Sequence, residues 1–298
     1  HRDLHSFPTR RSSDLHLVEE KAGLIKTLKK DGLLILNNDD ETVLGMKGRD
    51  KHKTITYGFK DGANILGSGD NIFYDEEGLP KGIIYRVDDD GKSLPVIIEG
   101  VFGKNHIYSS LCAIAVFYGL KLNILTAIER LKNYEVPPGR MRLLKGINNS
   151  LIIDDSYNSS PHACEAGLIT LGDIATKNRK IAILGDMLEL GKHTKTSHEN
   201  IGKIVNKYAN ILFTVGPRAD DIKNGAIQAG MSSENIFSFL NSYEAGKFLK
   251  DFIENGDIVF IKGSQGIRME RLVETILEDQ LNKSKLLVRQ EAEWKSKI

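Results

Sequence analysis

From residue 151 onward the chain alternates short apolar runs with longer stretches of helical spacing, and that alternation leaves few folds open. Residues 151–153, 181–184, 211–215, 236–239 and 258–261 are too short for helices, and helix-like segments lie between them. Apolar runs of this kind fit strands buried on both faces of a parallel sheet. Repeated strand–helix units with right-handed crossovers wind such a sheet on both sides. The expected fold class is therefore α/β, with a Rossmann-like, doubly wound parallel sheet in the C-terminal part. Open sheets of this type bind ligands in the crevice beyond the carboxyl ends of their strands. The first run stops abruptly at Asp154 and Asp155, and a polar turn then leads through Pro161 into a helix-like segment.

Ahead of Pro137 and Pro138 the pattern differs. Residues 16–30 read as an amphipathic helix and residues 33–36 as a buried strand, ended by a turn at Asn37, Asn38, Asp39 and Asp40. The Gly-punctuated region that follows has short alternating runs at 54–59, 71–74, 82–87 and 93–98, expected as antiparallel strands. Residues 107–120 are almost wholly apolar and read as a buried helix, and Asn123 is placed to cap a second one running to Leu131. The antiparallel strands thus precede the doubly wound part, with a boundary at residue 138. Residues 1–15 have no apolar periodicity and read like a translated sequencing adapter, so they are set apart from the fold. Residues 283–298 are charged and are expected as an amphipathic terminal helix or a frayed tail.

A length of 298 residues allows two domains, and 40% hydrophobic residues suffice to build their cores. Lys and Arg number 41 against 40 Asp and Glu, a formal net charge of +1, so no global field gathers nucleic acid or an anionic membrane. Anion sites must be local. The two cysteines, Cys112 and Cys164, exclude a disulfide framework and a zinc cluster, and a reducing cytoplasm is the expected home. Cys164 reads as a small buried hydrophobe, with a reactive thiol near a helix start as the alternative. No window reaches the ~18 apolar residues of a membrane span.

Four segments, GRMRL, IIDDSYN, LGDMLELG and KGSQGIRME, occur in that order. On these residues the chain from about His16 onward resembles the Mur ligases of peptidoglycan synthesis. Within that family it looks most like the branch that joins D-alanyl-D-alanine to a UDP-N-acetylmuramoyl-tripeptide. The resemblance implies an ATP-dependent, magnesium-requiring peptide ligase. In such an enzyme a substrate carboxylate takes the γ-phosphoryl of ATP, and an amine attacks the acyl phosphate. Both partners of the first step are anions, so positioning and electrostatic cancellation carry most of the catalysis. No G-x-x-x-x-G-K followed by Ser or Thr occurs in these residues. The chain therefore reads as an N-terminally truncated ligase, inactive alone.

The resemblance also implies roles for individual residues. Lys21, in VEEKAGLI, matches a lysine that the family converts to a carbamate, an oxygen donor suited to magnesium; by spacing alone it is an ordinary solvated residue. Arg140 follows Pro137, Pro138 and Gly139 and is expected to meet a phosphate, with Arg142 less committed. Asp155 is expected to accept from the ATP ribose, with Asp154 as its structural partner, although paired Asp also cap helices. Tyr157 supplies an aromatic wall and Asn158 a weaker substrate contact. Asn105 and His106, in FGKNHIYSSLCAIA, correspond to an adenine-facing helix start, but their order departs from the family pattern, Ser109 replaces an Asn, and a capping or packing role is open. Asp186 or Glu189 would hold an ammonium of the substrates. Lys262 past the last run would hold a carboxylate, with Ser264 beside it as a further substrate candidate, and each of these four is also a residue that turns favour. His198 is matched but could simply orient its loop, and Arg268 is the weakest candidate. No nucleic acid or membrane partner is expected, and the chain is expected to be monomeric.

Three other readings are weaker. A phosphoacceptor receiver domain needs a third Asp where this chain has Gly216 and Pro217. A nicotinamide-dependent oxidoreductase needs G-x-G-x-x-G after its first strand, where DDSYNSSP has no glycine. A folate polyglutamylating ligase shares the expected fold, but DDSYN with GDMLELG favours the cell-wall branch.

Overall fold

The computed structural model describes residues 19–20, 22–46, 51–89 and 91–296, without the side chains of Asp89 and Lys295. The described chain divides into two compact units. One holds residues up to 71 together with 84–97 and 104–133; the other holds 72–83, 98–103 and 134 onward.

A five-stranded sheet, in the order β1-β2-β3-β4-β5, is formed by β1 (Leu33–Asn37), β2 (Lys53–Gly58), β3 (Ile65–Tyr74), β4 (Pro80–Asp89) and β5 (Lys92–Glu99). The expectation of antiparallel strands is corrected for its first members, because β2 runs parallel to both β1 and β3. The β2–β3 pairing is short, Tyr57 with Ile65 and Gly58 with Leu66. A six-residue loop reaches back because Asp39 accepts the N–H groups of Phe59 and Lys60 at 2.8 and 2.7 Å. Alternating polarity cannot report strand direction. Short turns join β3 to β4 and β4 to β5, and neighbours joined this way run antiparallel. Helix α1 (Glu41–Leu44) is capped by Asp40, whose carboxylate accepts from Thr42 and Val43. Helix α2 (Lys104–Gly119) buries Ile107, Leu111, Ile114 and Ala115, one face at helical spacing. Helix α3 (Ile124–Leu131) begins at Asn123, whose side chain accepts from the Leu125 N–H. The helix expected over 16–30 is shorter at its far end. Its described part passes into a 3-10 turn, Leu24–Thr27, and Leu28 is extended.

The second sheet has six strands in the order β10-β9-β8-β11-β7-β6. They are β6 (Arg142–Lys145), β7 (Leu151–Asp155), β8 (Lys180–Gly185), β9 (Ile211–Val215), β10 (Ile236–Phe239) and β11 (Ile258–Lys262). All neighbours are parallel except β6, an antiparallel edge strand that its sequence does not announce. Helices α4 (Pro161–Asp173), α5 (Thr194–Val205) and α6 (Asp220–Gln228) link the strands from β7 to β10. Helix α7 (Ser242–Phe252) returns the chain from β10 to β11, and α8 (Glu270–Ile276) follows β11.

Strand periodicity fixes which helices share a face. Ile152, Val259 and Ile261 pack with Leu249 of α7 and Leu272 and Val273 of α8. Phe260, of opposite parity, lies under Gly167 of α4, where an added Cβ would sit 2.2 Å from its ring. The helices after β7 and β11 therefore leave toward opposite faces, and the tips of these two adjacent strands border an uncovered crevice. Ser160 caps α4 and Pro161 takes its first turn, where a missing N–H costs nothing. Among the described residues the C-terminal segment is neither one long helix nor a frayed tail. Two short helices, α9 (Lys283–Leu286) and α10 (Ala292–Lys295), flank Leu287, Val288 and Arg289, all three of them buried.

Candidate functional site

Strand register builds the centre of the site. Asp155 and Lys262 are direct partners across β7 and β11, the last residues of their strands, on the α4 face. The Lys262 ammonium donates to Asp155 Oδ2 at 2.5 Å and to the Asn158 carbonyl at 2.9 Å. The second carboxylate oxygen of Asp155 accepts the Met141 N–H at 3.3 Å. Burial pushes the Asp155 carboxyl above the ordinary aspartate range, and the Lys262 charge is the chief force pulling it back. Lys262 was expected to hold a substrate carboxylate. In this structure Lys262 is 3% exposed, and its ammonium is engaged by Asp155 and Asn158. Asp154, fully buried, accepts the Ser156 N–H at 3.1 Å, and burial carries its carboxyl up to about 6. Cys164 of α4 is buried, and burial pushes its thiol up to about 12, so it is the hydrophobe rather than a nucleophile.

Arg140 stands beside this pair. Its guanidinium lies 3.9 Å from the centroid of the Tyr157 ring, and Tyr157 is 43% exposed. The neighbouring Gly139 is left-handed, with φ +67°, and its carbonyl accepts the Tyr157 N–H at 3.1 Å. A Cβ there would meet Val288 Cγ1 at 2.8 Å and the Tyr157 nitrogen at 2.9 Å, so only glycine lets the two turns approach so closely. The exposed Arg140, the ring beneath it and a carboxylate with unused acceptor sites together suit a ligand bearing both phosphate and hydroxyl groups. Arg142 points elsewhere, donating to the carbonyls of Lys285 and Leu286 at 3.3 and 3.4 Å.

At the tip of β8 the matched residues hold one another. Asp186 is 1% exposed and accepts the Ala219 N–H at 2.7 Å, with Arg218 at 3.7 Å from its other oxygen. The Ser264 hydroxyl accepts the Leu188 N–H at 2.8 Å, while the Ser264 N–H donates to the Asp186 carbonyl at 2.9 Å. His198 Nδ1 lies 2.7 Å from the Thr194 carbonyl, which assigns it the proton, and Nε2 then accepts the Met187 N–H at 2.9 Å. Asp186 and Ser264, expected to touch substrate, here hold the loop together, and His198 orients the same loop. Glu189, exposed with φ +64°, and Asn158, exposed past Tyr157, remain accessible. Arg268 is buried, with its Nε 2.5 Å from Glu270.

In the first unit Asn105 is exposed at the start of α2, while His106 is buried. The Ser109 hydroxyl donates to the Asn105 carbonyl at 3.0 Å. Lys21 lies outside the described residues. Among the described residues no group of three or more His, Cys, Asp or Glu gathers to hold a metal ion. Sequence reasoning missed Glu270 and Arg289. Arg289 Nη1 donates to Glu270 at 3.1 Å and to the Ser156 carbonyl at 3.2 Å, and Nη2 donates to the Tyr157 carbonyl. The only sequence signal for it is an isolated Arg after Leu286, Leu287 and Val288.

Comparison with known proteins identifies the family and the fold. Residues 13–117 match the family model described as the Mur ligase middle domain, and residues 139–265 match the Mur ligase, glutamate ligase domain. The UDP-N-acetylmuramoyl-tripeptide–D-alanyl-D-alanine ligase of Bacillus subtilis is 26% identical over 272 residues, covering 89% of this chain and 56% of the relative. The Synechocystis ligase of the same name is 28% identical over 271 residues, covering 90% and 54%. The chain thus spans about half the length of the curated relatives it matches. A crystal structure of MurF from Acinetobacter baumannii has the same fold, with a TM-score of 0.73 at 21% identity over 86% of this chain and 54% of that one. With both domain models matched in order and the strand-tip motifs gathered on one sheet edge, the chain belongs to the Mur ligase family.

Proposed function

We propose that this chain forms part of the middle domain, residues 16–138, and the C-terminal domain, residues 139–298, of an ATP-dependent ligase that joins D-alanyl-D-alanine to UDP-N-acetylmuramoyl-tripeptide. The names of its curated relatives support this substrate pair. A MurF structure from Thermotoga maritima in complex with ADP, similar in fold with a TM-score of 0.69, supports the nucleotide. In this reading a substrate carboxylate takes the γ-phosphoryl of ATP and releases ADP. The dipeptide amine then attacks the carbonyl carbon, phosphate leaves, and an amide remains. ATP and Mg2+ are the cofactors, with Lys21 as a carbamate the proposed magnesium ligand. Asn105 and His106 are proposed to face the adenine.

Within the second unit Arg140 neutralises phosphate charge from its seat on the Tyr157 ring, and Asp155 accepts from ribose hydroxyls with the lone pairs that Lys262 and Met141 leave unused. Asn158 and Glu189 are the accessible candidates for the peptide substrates, and Lys262, Asp186 and Ser264 support them from behind. A monomer acting in the cytoplasm without nucleic acid or membrane completes the proposal. No helix among the described residues is long and apolar enough to cross a membrane. The observation that carries the reading is the Arg140–Tyr157 stack beside the Asp155–Lys262 pair. Titration of the chain with ADP, followed by NMR, tests it. Arg140→Ala and Asp155→Ala should each weaken binding at least tenfold, roughly 1.4 kcal/mol. Unchanged affinity in both variants refutes the assignment.

A further inference from the structure

We propose that Arg289, near the end of the chain, is a positioning residue for the nucleotide side of this site: it fixes the Ser156–Tyr157 backbone and, through the Tyr157 ring, holds Arg140 where a phosphate is met. The inference deepens the reading above and rests on it. Its geometry stands on the second unit alone.

The Ser156 and Tyr157 carbonyls lie just past the end of β7, where strand pairing has stopped and the helix has not begun. Buried carbonyls in such a place need a donor. Arg289 supplies it to both, and a planar guanidinium fork that bonds two successive carbonyls fixes the peptide units between them as well as their distance. Neutralising Glu270 does not account for this arrangement. Arg268 already lies 2.5 Å from one oxygen of Glu270, and of the Arg289 nitrogens only Nη1 meets the other oxygen, while Nη1 and Nη2 both donate to the loop carbonyls.

Two further contacts bring the same segment onto the site. The Val288 side chain fills the space beside Gly139, the residue before Arg140. The carbonyls of Lys285 and Leu286 receive Arg142, on the far side of Arg140 and Met141. Residues 285–289 thus grip both turns that carry the stacked pair. Trp294, the chain's single tryptophan, has the Arg268 and Arg289 guanidiniums 5.5 and 5.7 Å from its ring and makes the grip visible to fluorescence.

The test uses the full chain with ADP as the probe. Arg289→Lys keeps the charge and removes the fork. Val288→Ala leaves the ion network intact and loosens Gly139, and serves if Arg289→Lys does not fold. Amide hydrogen exchange in residues 139–141 and 156–158 should rise about tenfold in either variant, while that of β8 and β9 stays unchanged. ADP should bind about tenfold more weakly to Arg289→Lys than to the parent, and the double variant Arg289→Lys/Arg140→Ala should bind no more weakly than Arg140→Ala alone, as coupled residues require. Unchanged exchange in both turns overturns the grip whether or not ADP binds. Loosened turns with unchanged ADP affinity, or additive losses in the double variant, overturn the positioning role. A parent chain that takes up no ADP overturns the nucleotide reading and this role with it, while the exchange result still decides the grip.

Discussion

Replacing Lys262 with Met tests the centre of the site most severely. The change keeps the length and apolar stem of the side chain and removes only the ammonium. Asp155, 8% exposed, is then left with a single donor, the Met141 N–H at 3.3 Å. Removing one partner of a buried ion pair costs about 3–5 kcal/mol, because the other charge stays behind. The carboxylate has one escape, which is to take up a proton. For an ordinary aspartate that costs about 1.4 kcal/mol per pH unit above ~3.9, hence about 4 kcal/mol at pH 7 and about 1.5 kcal/mol at pH 5. The loss should therefore stand near 3–4 kcal/mol at pH 7 and shrink to about half of that or less at pH 5.

The sign of the pH dependence follows from proton uptake. Burial already raises the folded carboxyl above its unfolded value, and without Lys262 it rises further. Between the unfolded and folded values the native state holds the proton and the unfolded state does not, so stability falls as pH rises through that window. Urea unfolding followed by Trp294 emission, which reports the second unit, measures the effect at both pH values. Adding Asp155→Asn to Lys262→Met should recover most of the loss at pH 7 and flatten the profile. A loss below about 1 kcal/mol at pH 7, or one that does not change with pH, would show that Lys262 and Asp155 are not coupled as described.

Two further outcomes concern packing. Gly202→Ala in α5 should destabilise the chain by more than about 1 kcal/mol, reversing the usual gain from replacing a helical glycine, because the new Cβ would lie 2.0 Å from the Ile222 carbonyl of α6; a raised melting temperature would contradict that close crossing. Cys164, buried with its thiol pushed up to about 12, should resist a thiol reagent at pH 8 until the chain unfolds, and fast labelling of the native protein would place it wrongly in the core.

The second sheet was legible because each parallel strand is an apolar run bounded by polar turns, so all five centres and the acids at the β7 tip could be read directly. The edge strand Arg142–Lys145 was not, since two leucines between basic residues carry no strand signal of their own. Nor was the fate of Lys262. Its partner lies 107 positions earlier, and the two meet only because β11 inserts between β8 and β7. Nothing in either local sequence encodes that strand order. The internal partners of Asp186 and Ser264 were hidden for a related reason: residues that suit a ligand also suit a buried turn, and only the third dimension tells which groups already have partners.

The same order explains why a chain with almost no net charge can carry a local anion site. Strand register brings Asp155 against Lys262, which cancels charge where burial is deepest. Arg268 and Arg289 each take one oxygen of the single Glu270 carboxylate, so two cations face one anion behind the Tyr157 turn. Arg140, in front of that turn, is the exposed member of the group. A surplus of buried cations next to one exposed guanidinium favours negative charge at a defined point without raising the charge of the whole molecule. Positioning by the fold thus takes the place of a global field, which the composition of this chain does not provide.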